Sequence, residues 1–125
     1  LHMVLGDRAS VELSRHEPML HADVRRTIRL LLLSRRCSRA DVAKRLGIHP
    51  RTLGRRLQES GTTFQALLDD MRAQMAKQLL LDTRLPVARI AAAVGYEDPT
   101  IFSRAFARWT GRTPSEFRAE LVASA

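Results

Sequence analysis

The sequence predicts an all-α fold of seven helices, and three observations carry that prediction. Apolar residues recur at helical spacing from Asp23 to about Val122, and each interruption carries residues that start or stop helices. No segment makes a credible strand.

The first helix places Val24, Ile28, Leu31 and Leu32 on one stripe from Asp23 and ends near Ser34. Ser38-Arg39-Ala40-Asp41 fits a capping box, in which the serine oxygen accepts from an orphan amide and Asp41, a shorter stand-in for glutamate, reaches back. The second helix then buries Val42, Ala43 and Leu46 before Gly47, which lets the chain leave through a left-handed residue. Pro50 suits the first position of a third helix, whose first amides are unpaired anyway, and Gly61 stops that helix after Ser60.

Thr62-Thr63-Phe64-Gln65 is a second capping-box match, opening a stripe of Phe64, Leu67, Leu68, Met71, Met75, Leu79 and Leu80. This fourth helix, ending near Leu81, has roughly 18 residues and a length of about 27 Å. After residues 82–86, Ile90, Ala91 and Val94 form a fifth helix closed by Gly95, and Asp98-Pro99 caps a sixth that ends at Gly111. Thr113-Pro114-Ser115-Glu116 supplies cap, proline and capping-box glutamate for a short seventh helix to about Val122.

At 125 residues and 45% apolar content the chain suits one domain, or two small ones sharing a helix. Lysine and arginine outnumber acidic residues 21 to 13, for a net charge of +8 and a pI near 11.3, which favours a polyanionic partner. The single cysteine, Cys37, allows no internal disulfide and no thiolate metal cluster, and it fits a reducing cytosol as a small apolar residue. The longest apolar run, Leu30 to Leu33, is far short of a membrane span, and no secretory signal pattern opens the chain. A cytoplasmic protein without a membrane segment is expected.

The function rests on an internal repeat. Val42, Ala43, Leu46 and Gly47 match Ile90, Ala91, Val94 and Gly95, each 48 residues on. The turn then gains one residue, so Pro50, Leu53, Arg55 and Leu57 match Pro99, Phe102, Arg104 and Phe106 at an offset of 49. Helix, glycine turn, helix is the build of a helix-turn-helix, whose second helix presents its outer face to the DNA major groove. The segments expected are 1–21 as cloning remnant and linker, 22–61 and 83–125 as two helix-turn-helix subdomains, and 62–82 as the long central helix that joins them.

The outward faces follow from about 100° per residue. With Leu53 at zero and Leu57 near 40°, Arg51 falls at about 160° and Arg55 at about 200°, opposite the buried stripe. In the second unit, with Phe102 and Phe106 buried, Thr100 and Arg104 take the same two directions. Arginine can donate two hydrogen bonds to guanine O6 and N7, and threonine can donate, accept or lay its methyl on thymine. An exposed arginine alone would be ordinary solvated charge; its recurrence at one register of two repeated helices points to base reading.

The second half, from Ile90-Ala91 through Val94-Gly95-Tyr96 and Phe102-Ser103-Arg104-Ala105-Phe106 to Gly111-Arg112-Thr113-Pro114-Ser115-Glu116-Phe117-Arg118, resembles the AraC/XylS family of transcription regulators. The likeness covers roughly residues 22–120 and includes Leu46-Gly47-Ile48 and Arg51-Thr52-Leu53-Gly54-Arg55-Arg56-Leu57. It implies seven helices in two subdomains, with recognition helices entering successive major grooves on one face of promoter DNA. The family's base-contacting positions fall on Arg51, Gly54 and Arg55, and on Thr100, Ser103 and Arg104. Two positions depart from the family pattern: Gly54 stands where a longer polar side chain is common, and His49 replaces the usual small N-cap residue. The resemblance also implies a separate N-terminal effector-binding or dimerisation domain missing from these residues, and contact with RNA polymerase, as activator or repressor.

Phosphate contacts are expected at two helix N-termini, Ser38 and Thr113, and from Arg39, Arg56, Arg108 and Arg112. An enzyme is disfavoured: His2, His16, His21 and His49 form no metal-spaced pair, no glycine-rich phosphate loop is present, and Cys37 has no evident partner histidine. No cofactor, metal or catalytic residue is expected. The segment Arg36-Cys37-Ser38 does not resemble the reactive-cysteine segment of DNA-alkylation repair regulators. A helical adaptor using Met71 and Met75 as an adaptable surface is the remaining rival, but both share a stripe with Phe64, Leu68 and Leu79 and read as core. Trp109 and Tyr96 likewise read as anchors of the second subdomain.

Overall fold

The computed structural model describes residues 19–34 and 37–124, and among these there are seven helices and no strand. Helix α1 covers 19–33, followed by α2 (Arg39–Leu46), α3 (Pro50–Glu59), α4 (Phe64–Asp82), α5 (Val87–Ala93), α6 (Pro99–Thr110) and α7 (Pro114–Ser124).

Of the stretch expected to be remnant and linker, residues 1–18 lie outside the described residues. Residues 19–21 are helical, so the boundary placed at His21 falls within α1 rather than ahead of it. Leu20 continues the stripe of Val24 and Ile28 one turn earlier and is only 8% exposed, while His21 Nε2 is hydrogen-bonded to Ser60 Oγ at 2.7 Å. Burial of Leu20 in the first core and the hydrogen bond of His21 to the C-cap of α3 thus tie α1 to the first unit.

The helix starts follow local chemistry, with two differences from expectation. Ser38 Oγ accepts from the Asp41 amide at 3.1 Å, but Asp41 takes the hydroxyl proton of Ser38 at 2.8 Å instead of reaching the backbone. Among the described residues the full reciprocal box forms only in α7, where Glu116 Oε1 accepts from Thr113 N at 3.1 Å and Thr113 Oγ1 accepts from Glu116 N at 3.2 Å. One extra methylene lets glutamate close the box that aspartate leaves open. In α4 the cap is Thr63, accepting from Ala66 N at 3.0 Å, rather than Thr62 with Gln65 as its partner; Gln65 instead pairs with Asp69 one turn on.

Two cores result, with α4 running through both. Leu20, Val24, Ile28, Leu32, Val42, Ala43, Leu53, Leu57, Leu67, Leu68 and Met71 form the first. Ala76, Leu80, Ile90, Ala91, Val94, Phe102 and Phe106 form the second, and half-buried Met75 packs against both. Fully burying each large side chain is worth roughly 1.5–3 kcal/mol, so each unit has its own hydrophobic reason to fold. Tyr96, Phe102, Phe106, Trp109 and Phe117 make a tilted and edge-on aromatic chain with centroids 5.7–6.0 Å apart, which accounts for Tyr96 and Trp109 as anchors.

Arginines fasten the second unit to the central helix. Arg72 Nε donates to Val94 O at 3.0 Å, and its guanidinium stands over the Tyr96 ring. Arg118 of α7 donates to Leu80 O, Thr83 O and Leu85 O at 3.4, 3.2 and 2.7 Å, serving carbonyls of the last turn of α4, its cap and the loop that follows. Gly95 has nothing beyond its Cα, which lets Leu32 of the first core and Arg72 approach: a Cβ there would stand 3.5 Å from Leu32 Cδ2 and 3.4 Å from Arg72 Nη2.

Candidate nucleic-acid interface

The two turns are the same structure built twice. Ile48 N donates to Ala43 O and Gly47 N to Lys44 O; 48 residues on, Tyr96 N donates to Ala91 O and Gly95 N to Ala92 O, all between 2.8 and 3.2 Å. Both are Schellman turns, and the glycine of each, at φ +72° and +91°, occupies the left-handed region that side chains resist. The extra residue of the second unit falls between this turn and the next cap. His49 Nδ1 accepts from Arg51 N at 3.1 Å, whereas Asp98 accepts from Thr100 N at 2.8 Å. His49 therefore caps α3 despite its size, with its imidazole proton on Nε2 so that Nδ1 is an acceptor.

From these matched starts α3 and α6 present matched faces. Leu53, Leu57, Phe102 and Phe106 are fully buried, while Arg51, Arg55, Thr100 and Arg104 are exposed and Ser103 is half-buried. Among the described residues Arg51 and Arg104 have no carboxylate within ion-pairing distance. Arg55 faces Glu59 at 3.8 Å with both side chains about two-thirds exposed, a pairing worth little and easily exchanged for another anion.

Two further side chains on these faces escaped the sequence reading. Gln58 lies near 140° on the α3 wheel, within the arc of Arg51 and Arg55. It lines one groove with Arg39, Arg51, Gly54 and Arg55, and the angular arithmetic applied to the arginines would have found it. Ile101 of α6 is 55% exposed beside Thr100, an apolar group suited to a thymine methyl.

The expected phosphate-contacting residues are dispersed. Ser38 and Thr113 cap α2 and α7, Arg108 is exposed in the last turn of α6, and Arg112 is half-exposed but ion-paired with Glu120. Arg56 is half-buried and faces a recess with Met19, Leu20, Asp23, Leu46 and Ile48, away from the face of α3 that carries Arg51 and Arg55. Arg39 crosses to α3, where its Nη1 would stand 3.1 Å from a Cβ at Gly54.

Burial pushes the Cys37 thiol above its ordinary value, more than nearby Arg72 lowers it, and Asp41 adds to the rise. The thiol rests against the first core and is directed at Ile28 O, as a small apolar residue would be placed. Among the described residues no helix is long and apolar enough to cross a membrane.

Two repeated helix-turn-helix units with outward basic second helices define a DNA-binding domain, and the comparisons agree. A family model described as a helix-turn-helix domain matches residues 42–120, more than half of the chain. An uncharacterised HTH-type transcriptional regulator of Mycobacterium tuberculosis is 48% identical over 77 residues, covering 62% of this chain and 22% of the relative. The ornithine utilization regulator of Pseudomonas aeruginosa is 43% identical over 94 residues, covering 73% and 28%. Among solved structures, the C-terminal domain of AraT, a response regulator from Geobacillus stearothermophilus, superposes with a TM-score of 0.71 at 33% identity, covering 81% of this chain and 84% of that one. The chain belongs to the AraC/XylS family of transcription regulators, as the resemblance implied. It spans 22–28% of the length of these curated relatives.

Proposed function

We propose that this domain binds double-stranded promoter DNA sequence-specifically to regulate transcription, with α3 and α6 entering successive major grooves on one face of the duplex. Arg51, Arg55, Thr100, Ser103 and Arg104 read base edges, and Gln58 and Ile101 extend the two faces. Ser38, Arg56, Arg108, Arg112 and Thr113 are assigned to the phosphate backbone, whereas Arg39 reaches over α3 at Gly54. The observation that carries the reading is the repeated turn, which aims Arg51 and Thr100, then Arg55 and Arg104, in equivalent directions.

The central helix supplies the spacing. Its 19 residues extend about 28 Å, comparable with the roughly 34 Å between major-groove entries one duplex turn apart. A whole regulator would add an N-terminal domain for effector binding or dimerisation and a surface for RNA polymerase, and would act in the cytoplasm.

The test is selection of bound fragments from random duplex DNA, followed by gel shifts on the selected site and a scrambled version. Preferential, salt-sensitive binding is expected, with log affinity falling against log salt at a slope of about −5 if about six phosphates are neutralised. Equal affinity for selected and scrambled duplexes would rule the proposal out.

A further inference from the structure

The geometry points to Arg39 as a base-reading side chain of the first unit, occupying from α2 the place on α3 that Gly54 leaves vacant. The inference rests on the reading of α3 as a major-groove helix and adds a specificity-determining residue to it.

Gly54 is the only glycine inside a helix among the described residues, and it has no left-handed backbone angle that would demand glycine. What glycine provides there is space. A Cβ at this position would stand 3.1 Å from Arg39 Nη1, 3.8 Å from Cζ and 4.0 Å from Cδ, so the end of the Arg39 side chain passes over α3 at Gly54. On the α3 wheel Gly54 falls at about 100°, on the shoulder of the reading face some 60° from Arg51.

The guanidinium therefore enters the groove lined by Arg51, Gly54, Arg55 and Gln58. A planar fork lying next to a helix surface beside a base-reading arginine has the shape to donate two hydrogen bonds to guanine O6 and N7. Arg39 reads a guanine adjacent to the base pair read by Arg51. A long side chain at position 54 would compete with Arg39 for this space, so glycine at 54 exchanges a base contact from α3 for one from α2.

Fluorescence anisotropy on the selected site and a panel carrying each single base-pair change in the α3 half-site tests this, using the intact domain. Arg39→Ala is expected to lower the preference for guanine at one position by roughly tenfold and to leave the preferences at neighbouring positions unchanged. Gly54→Gln fills the cradle, displaces the guanidinium and moves the preference at the same position toward adenine, which glutamine recognises through N6 and N7. If Arg39→Ala weakens every duplex equally and reduces the salt slope by about one, Arg39 is a phosphate contact and the inference fails, while the reading of α3 stands through Arg51 and Arg55. If Gly54→Gln leaves the base profile unaltered, the inference fails as well. A wild-type domain that binds all duplexes alike overturns both the inference and the proposed function.

Discussion

Arg72 Nε donates to the carbonyl oxygen of Val94 at 3.0 Å, joining the middle of the central helix to the turn that aims the second recognition helix. The same guanidinium lies 4.9 Å from the centroid of Tyr96 and within reach of Gly95, beside Leu32 of the first core. One side chain thus connects α4 to the junction of the two units.

Arg72→Met keeps the apolar stem and removes both polar contacts. Loss of a hydrogen bond to a charged, half-buried donor is expected to cost about 1.5–3 kcal/mol in urea unfolding. Affinity should fall more on a duplex with both half-sites than on one with a single half-site. An equal loss on both duplexes would show that Arg72 has no part in orienting the units.

Met75 is half-buried and packs on both cores, so its truncation should be felt in both. Met75→Ala is expected to cost about 2 kcal/mol, the lower end for methionine truncation because the site is only partly enclosed. Hydrogen exchange should report weakened protection on either side of α4; a loss confined to one unit would contradict the shared packing.

Arg104 and Arg112 should separate specificity from general affinity. Arg104→Ala is expected to remove about 1–3 kcal/mol of discrimination between selected and scrambled duplexes, and Arg112→Ala to weaken both alike. Because Glu120 pairs with Arg112, Glu120→Gln should release the guanidinium and strengthen binding to any duplex. Gel shifts of the three variants at one salt concentration decide it; equal losses for Arg104→Ala on both duplexes would end its base-reading role.

The capping box of α7 makes a pH prediction. Hydrogen bonds from the backbone of Thr113, then its side-chain interaction, then desolvation opposing them and the Arg112 charge, leave the Glu116 carboxyl below its ordinary value of 4.5. A carboxylate whose folded value is depressed contributes stability that is complete above the unfolded value and is lost as pH falls through the folded one. The protection of α7 amides relative to their intrinsic exchange rates should therefore fall on acidification below about 4.5, and Glu116→Gln should flatten that dependence. An identical acid profile in the variant would exclude Glu116 as its source.

Much of the fold was legible because helices announce themselves over short distances. The stripes of Val24 and Ile28 or Phe102 and Phe106, the glycines at 47 and 95, and the prolines at 50 and 99 each act through neighbours within about five residues. The outward exposure of four side chains was legible for the same reason: once Leu53 and Phe102 point inward, the directions of Arg51, Arg55, Thr100 and Arg104 follow. Local reading failed where side-chain reach mattered, as with Asp41 against Glu116, and at Thr62, where Thr63 supplies the cap.

The amino-acid order alone thus determined seven helices, a duplicated turn and two outward basic faces, because periodicity and capping are properties of adjacent turns. Tertiary structure decided the relations between distant segments: Leu20 and His21 joining the first unit, Arg56 turning to a recess, Arg72 reaching Val94, and Arg39 lying across Gly54. Those side chains have several neighbours within reach of a flexible stem, and only the packing of one helix on another selects among them.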